Sequence, residues 1–160
     1  MCKGNKFLYQ LGRIFFALPF IIFCVLKMVN WQASMESLSQ ALSMWKNEVG
    51  GSFLGSFIGM LQQAELFLMI LASLLEGVGG VLLLFGIRTR LAAWLLILFL
   101  VPVNILMHPF WFADAASLFP MLSDFSKNLA LIGGALLFTG GCCCHICHCQ
   151  QDSHHMDDRV

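Results

Sequence analysis

Four long apolar segments follow one another along the chain, separated by shorter and more polar stretches. They cover residues 8–29, 64–87, 91–107 and 128–147, close to the roughly 20 mainly apolar residues that a bilayer-crossing helix needs. The apolar residues run continuously, without the alternation of a lipid-facing β-strand. The pattern therefore predicts an all-α membrane protein, a four-transmembrane-helix antiparallel bundle with interfacial loop segments.

The connections between the segments differ in length and character. The turn between the second and third segments covers only about residues 88–90, so these two helices are expected to be antiparallel neighbours. Residues 30–63 mix polar and apolar positions and predict an amphipathic segment at the membrane interface. Residues 110–126, which include five aromatic side chains, predict a second interfacial cap.

Composition supports the same class. Apolar residues make up 59% of the 160 residues and charged residues 11%, and the mean hydropathy is +0.81. A soluble domain of this size has no interior large enough for so many apolar side chains, so the lipid bilayer is the expected partner. The net charge is zero and no basic block is present, which argues against nucleic-acid binding.

The basic residues near the segment ends predict an orientation. One side of the bundle would carry Lys3, Lys6, Arg13, Arg88, Arg90 and Arg159, and the other side Lys27, Lys46 and Lys127. The positive-inside rule then predicts that both termini are cytoplasmic, and a bacterial inner membrane is the expected location. A cleaved signal peptide is the alternative for residues 1–33, but no clear cleavage site follows the apolar stretch, so an uncleaved first helix is preferred.

Glu76 lies in the middle of the second apolar segment. A carboxylate near the centre of a bilayer is costly and needs a partner, a proton or a water-filled pocket. Glu65 precedes it by eleven residues, a spacing that puts both carboxylates on one helix face. Pairing with Lys27 or Arg13 is expected, and the sequence leaves open whether Glu76 has a structural or a functional role.

The predicted topology collects further polar side chains around this carboxylate. Lys27, Glu65, His108 and Lys127 are expected at the outer end of the bundle, with Glu76 about 16 Å beneath them at about 1.5 Å per residue. The predicted pocket residues are Glu76, Glu65, Lys27, Arg13, Asn104, His108, Lys127 and Asn128. The alternative is that the outer residues are independent interfacial anchors.

The C-terminal residues 142–160 have a different composition from the 1–141 transmembrane domain and predict a cytoplasmic tail. Within eight residues the tail contains Cys142, Cys143, Cys144, His145, Cys147, His148 and Cys149. Thiolate and imidazole ligands at such spacing suit zinc or copper(I). A redox-active or lipid-modified cysteine cluster and a tail without a role are the two other interpretations.

Several motifs together resemble the DoxX family of small four-helix membrane proteins. They are LGRIFFALPFIIFCVLK, EGVGGVLLLFGIRTRLAAWLL, NILMHPFW and KNLALIGGALLF. The resemblance assigns family positions to Arg13, Lys27, Glu76, Gly80, Gly86, Arg90, His108 and Asn128. Cys24 departs from the family pattern, which has a glycine before the lysine of the first segment.

This resemblance implies a redox-associated membrane subunit whose polar intramembrane pocket engages a quinone or a small thiol or sulfur species. Two alternatives remain open: a non-catalytic membrane anchor for a soluble partner, and a metal-handling protein that uses the Cys/His tail. A soluble redox enzyme and a second copy of the chain are the expected protein partners. The sequence patterns are compatible both with an enzyme and with a non-catalytic protein.

Overall fold

The computed structural model describes residues 5–140, with side chains from residue 7 onward, and this part of the chain is helical without any strand. Six α-helices and one 3-10 turn follow in chain order. They are α1 (Asn5–Val29), α2 (Trp31–Val49), α3 (Phe53–Gln63), α4 (Glu65–Phe85), α5 (Thr89–Met107), the 3-10 turn Phe110–Phe112 and α6 (Leu118–Thr139).

Three stretches within residues 5–140 are helical, long and apolar enough to cross a membrane: Phe7–Val29, Glu65–Phe85 and Thr89–Phe112. The all-α membrane class predicted from the sequence is therefore confirmed. The predicted count of four spans is not matched, because α6 does not meet the same standard. Its first half carries Asp124 and Lys127, and their charges lower the apolar character of any bilayer-length window.

Helices α4 and α5 form an antiparallel hairpin, as the short connection predicts. Gly86 ends α4 in the left-handed conformation, with φ 73°. Its N–H bonds to the Leu83 carbonyl, and the Ile87 N–H bonds to the Leu82 carbonyl, which is the Schellman pattern. A Cβ at position 86 would also meet the guanidinium of Arg13, but that group ends a flexible side chain and can move. The left-handed conformation of the turn is therefore what favours glycine here.

The region predicted as an interfacial loop, residues 110–126, is largely helical, and the predicted fourth segment therefore begins about ten residues earlier than expected. Asp114 accepts a hydrogen bond from the Ser117 backbone N–H at 3.0 Å just before α6 begins. Pro120 lies in the first helical turn, where its missing N–H removes no intrahelical bond. These two local signals, rather than apolar periodicity, set the start of α6.

Residues 30–63 form two helices rather than one interfacial segment. α2 begins directly after Asn30 at the end of α1 and runs alongside α4 and α5. It buries Ala41 and Leu42, and the Trp45 Nε1–H donates to the Leu106 carbonyl in the last turn of α5 at 3.1 Å. The second half of α2 also packs against α3, where Ser43 and Lys46 are hydrogen-bonded to Gln62. Helix α2 therefore forms one wall of the bundle.

The core lies where α1, α4 and α5 meet. Its buried residues are Ala17, Phe20, Leu83, Ala92, Leu96, Phe99 and Leu100. Helix α6 packs along α5, and the Phe138 ring contacts the rings of Tyr9 and Phe16 on α1. Large apolar side chains on the outer faces of these helices remain exposed, which is expected of surfaces that face lipid rather than water.

Candidate functional site

A buried ion pair joins α1 to the middle of α4. The Lys27 Nζ lies 2.6 Å from the Glu76 Oε2, and the two side chains are 19% and 4% exposed. Glu76 follows the start of α4 by eleven residues and precedes its end by nine, so the carboxylate lies near the centre of that span. Charges at this depth need a partner, and Lys27 is the partner.

Close packing of α1 against α4 brings the two residues together. A Cβ added at Gly80 would lie 3.2 Å from Phe20 Cβ, and one added at Gly77 would lie 3.0 Å from Cys24 Sγ. Because Gly77 has no side chain, it leaves room for the side chain of Cys24, and the two helices stay in contact at this level. The Cys24 thiol also approaches the Ser73 carbonyl at 3.6 Å.

Phe99 of α5 completes the surroundings of the lysine. The Lys27 Nζ lies 4.9 Å from the centroid of the Phe99 ring, within the range of a cation–π contact. The ammonium is therefore held by a carboxylate from α4 and an aromatic face from α5. An ammonium has three N–H donors. The contacts with Glu76 and Phe99 orient this group and leave at least one donor free for another acceptor.

An apolar pocket of about 450 Å³ opens beside Lys27, between α2, α4 and α5. Its apolar walls come from α2, α4 and α5, and Ser34 and Ser37 of α2 add two polar positions. The apolar lining residues are Leu38, Leu68, Met69, Leu71, Ala72, Leu75, Leu98, Phe99, Pro102, Val103, Leu106 and Met107. The volume is in the range of small-molecule sites, which combine apolar walls with few polar groups. The pocket can therefore accept an apolar body whose polar end meets Lys27.

The outer cluster predicted from the sequence is only partly assembled. Lys27 is not at the outer end of the bundle, because α1 ends near the middle of α4 and α2 takes its place beyond Asn30. Glu65 begins α4, and His108 directly follows the last residue of α5. Lys127 is exposed and pairs with Asp124 at 2.9 Å. Within residues 5–140, no hydrogen bond or ion pair joins these outer residues to Glu76.

The remaining predicted residues lie elsewhere. Arg13 donates to Gln10 Oε1 at 2.8 Å and approaches the Leu84 carbonyl at 3.5 Å, so it supports the end of α4 rather than Glu76. Asn104 is 3% exposed, and its Oδ1 has no hydrogen-bond partner among the described residues. Asn128 does not open a helix, because α6 already begins at Leu118.

Sequence reasoning placed no residue of α2 in the pocket, and around α5 it chose Asn104 and His108, which do not line it. Phe99 is one of many apolar residues on α5, and no local signal separates it from the others. Ser34 and Ser37 are three residues apart, which places them on one helix face. If residues 30–63 are taken as helical, this spacing indicates that both serines can face the same pocket.

The metal site predicted in the tail, Cys142 to Cys149, lies outside the described residues and stays a prediction. Within residues 5–140 there is no group of three or more His, Cys, Asp or Glu side chains that could hold a metal ion.

Comparison with known proteins corrects the resemblance stated above. The chain matches the family model described as HR-like lesion-inducing, over residues 5–141. No curated protein and no solved structure matches it. The resemblance to the DoxX family is wrong, and the redox role that it implied loses that support. Short apolar motifs with glycines and flanking arginines occur in many closely packed membrane helices, so they do not separate one family from another. Because the family match covers most of the chain, this protein belongs to the HR-like lesion-inducing family.

Proposed function

We propose that this membrane protein binds a small, largely apolar molecule with an oxygen-bearing head group, and that a quinone is the class that fits best. The observation that carries the proposal is the position of Lys27, which lines an apolar pocket of about 450 Å³ while Glu76 holds its ammonium at 2.6 Å. A quinone carbonyl would accept a hydrogen bond from the ammonium, and its ring and tail would lie against α4 and α5. The protein's role would be to hold the quinone for a redox partner in the same membrane.

The apolar lining of the pocket favours a quinone over a small hydrophilic thiol. Apart from Lys27, Ser34 and Ser37, the lining residues are apolar. A hydrophilic thiol would lose its hydration on entering and find few partners. An apolar ring with carbonyl oxygens loses little hydration and gains contact with the walls.

Equilibrium binding of a decyl-substituted benzoquinone to the purified protein in lipid nanodiscs tests the proposal. Ala72→Phe fills the pocket from α4 and is expected to weaken binding at least about tenfold, or about 1.4 kcal/mol. Leu129→Phe, on the exposed face of α6, is the matched control and is expected to leave binding unchanged. Equal uptake by both variants and by protein-free nanodiscs would show partition into lipid and overturn the proposal.

Helix α6 is proposed as a fourth membrane crossing. Its end lies beside the start of α1, where the Phe138 and Tyr9 ring centroids are 6.1 Å apart. An even number of crossings follows from this arrangement. Protease-accessible tags at the two termini are expected to be cut from the same side of a sealed vesicle, and cutting from opposite sides would remove the fourth crossing.

A cytoplasmic position of both termini is proposed from the charges around the α4–α5 turn. Arg13, Arg88 and Arg90 lie there, and no acidic residue of the described part accompanies them. The positive-inside rule places such a turn in the cytoplasm. The same tags report this in oriented vesicles, where protection on the cytoplasmic face would contradict the assignment.

A further inference from the structure

The charge of the pocket is set by a residue outside it. Lys27 is the one ionisable side chain among the described residues that line the pocket. Glu76 is not part of the lining, and its side chain is only 4% exposed. The Glu76 carboxylate therefore neutralises the charge of the Lys27 ammonium from the side away from the pocket. The remaining N–H donors of Lys27 are available to a ligand in the pocket.

The two serines of α2 present acceptors rather than donors. The Ser34 hydroxyl donates to the Asn30 carbonyl at 3.0 Å, and the Ser37 hydroxyl donates to the Ala33 carbonyl at 2.9 Å. Each hydroxyl has a single hydrogen, so its oxygen can then only accept further hydrogen bonds. An incoming hydroxyl group could donate to either oxygen, whereas a carboxylate could not.

We infer that Glu76 is a specificity-determining residue that makes this pocket select an uncharged amphiphile with a hydroxyl or carbonyl head group over one with a carboxylate. The inference rests on the proposed function and narrows its ligand class. A carboxylate entering beside the neutralised Lys27–Glu76 pair would place a net negative charge in apolar surroundings. Desolvation of that charge would be only partly compensated, because Lys27 already interacts with Glu76.

Competition between matched amphiphiles tests the inference. Dodecanol and dodecanoate have the same tail and differ in the head group, and each would be titrated against the bound decyl-benzoquinone in nanodiscs. The wild-type protein is expected to prefer dodecanol. Glu76→Gln removes the compensating charge and keeps the side-chain shape, so the affinity for dodecanoate is expected to rise at least about tenfold, as expected for a close charge pair.

Two further variants separate charge from damage to the fold. Glu65→Gln is the same substitution eleven residues earlier on α4, outside the pocket lining, and is expected to leave the preference unchanged. The double variant Lys27→Gln/Glu76→Gln removes both charges and is expected to abolish the gain in dodecanoate binding. Circular dichroism and size-exclusion profiles would identify any variant that fails to fold. If Glu76→Gln does not fold, the preference of the wild-type protein for dodecanol over dodecanoate carries the test.

The outcomes distinguish this inference from the proposed function. If the wild-type protein binds the quinone probe but takes dodecanoate as well as dodecanol, the charge selection is wrong and the pocket function stands. If Glu76→Gln folds and shows no gain for dodecanoate, the inference is likewise overturned. If Ala72→Phe has no effect on probe binding, the pocket function itself fails.

Discussion

Two ion pairs of similar length occupy very different surroundings in this bundle. Lys27 and Glu76 are 2.6 Å apart, with side chains 19% and 4% exposed, whereas Lys127 and Asp124 are 2.9 Å apart with 69% and 49% exposed. The first pair joins two helices that are distant in sequence, and the second lies within one turn of α6. Distance alone therefore says little about what an ion pair contributes, because burial decides the cost of separating the partners.

The comparison also shows how position relates to possible function. Both side chains of the exposed pair lie open on the outer surface of α6, in its first half. The buried pair cannot be separated at so low a cost, and its lysine lines a pocket. A charged group that is held by a buried partner has a defined position and orientation, and binding sites need such fixed groups.

Glu76→Ala is expected to give the largest effect. It leaves the Lys27 ammonium without its carboxylate near the centre of the α4 span, at a cost of about 3–5 kcal/mol in the free energy of unfolding. The double variant Lys27→Met/Glu76→Leu replaces both charges with apolar groups and is expected to cost much less. Reversible unfolding in mixed micelles measures both. A loss below about 1 kcal/mol for Glu76→Ala would make the buried pair equivalent to the surface pair.

The close packing that brings the buried pair together predicts the second effect. Gly80→Leu would force its Cβ against Phe20 and Ile21, whose nearest side-chain atoms lie 3.2 Å away, and overpacking of this kind costs about 1–3 kcal/mol. Gly133→Leu on α6 is the matched control, since no heavy atom lies within 4 Å of its added Cβ. It is expected to be neutral or stabilising because leucine favours helix. Equal losses at both positions would argue against tight α1–α4 contact.

Asp124→Asn is expected to have a small effect, below about 1 kcal/mol, because the pair with Lys127 is solvent-exposed. The effect should fall further as salt is raised from low to physiological concentration. The same unfolding measurement checks this. A loss as large as that of Glu76→Ala would show that α6 buries this pair against something other than solvent.

The smallest expected effect concerns the fully exposed Asp114. Hydrogen bonds from the Ser117 hydroxyl and backbone N–H lower the pKa of this carboxyl from 3.8. A lowered pKa in the folded protein means that the contribution to stability is present above 3.8 and is lost as the pH falls through the lowered value. Ser117→Ala is expected to return the Asp114 pKa toward its ordinary value, as followed by NMR titration of that carboxyl. An unchanged pKa would show that these hydrogen bonds do not hold the start of α6.

The sequence was sufficient for some elements and insufficient for others. The α4–α5 hairpin follows from two long apolar segments around a short turn, and Gly86 ends α4 as a left-handed glycine typically does. The start of α6 was mistaken because Asp114, Ser117 and Pro120 act through local hydrogen bonding rather than apolar periodicity. The resemblance to another family failed for a related reason, since apolar composition is shared by unrelated membrane helices.

The chain composition and the length of its apolar segments determined that this is an all-α membrane protein, and the depth of Glu76 determined that this carboxylate needs a partner. Only the tertiary structure decided that the partner is Lys27 rather than Arg13, because the choice depends on how far α1 extends along α4 before α2 begins. It also decided which side chains form the pocket wall. Contact with lipid stabilises almost any apolar helix surface equally well, so it does not determine how far one helix is displaced along its neighbour. That displacement depends on close contacts between particular residues of both helices, and it cannot be read from either segment alone.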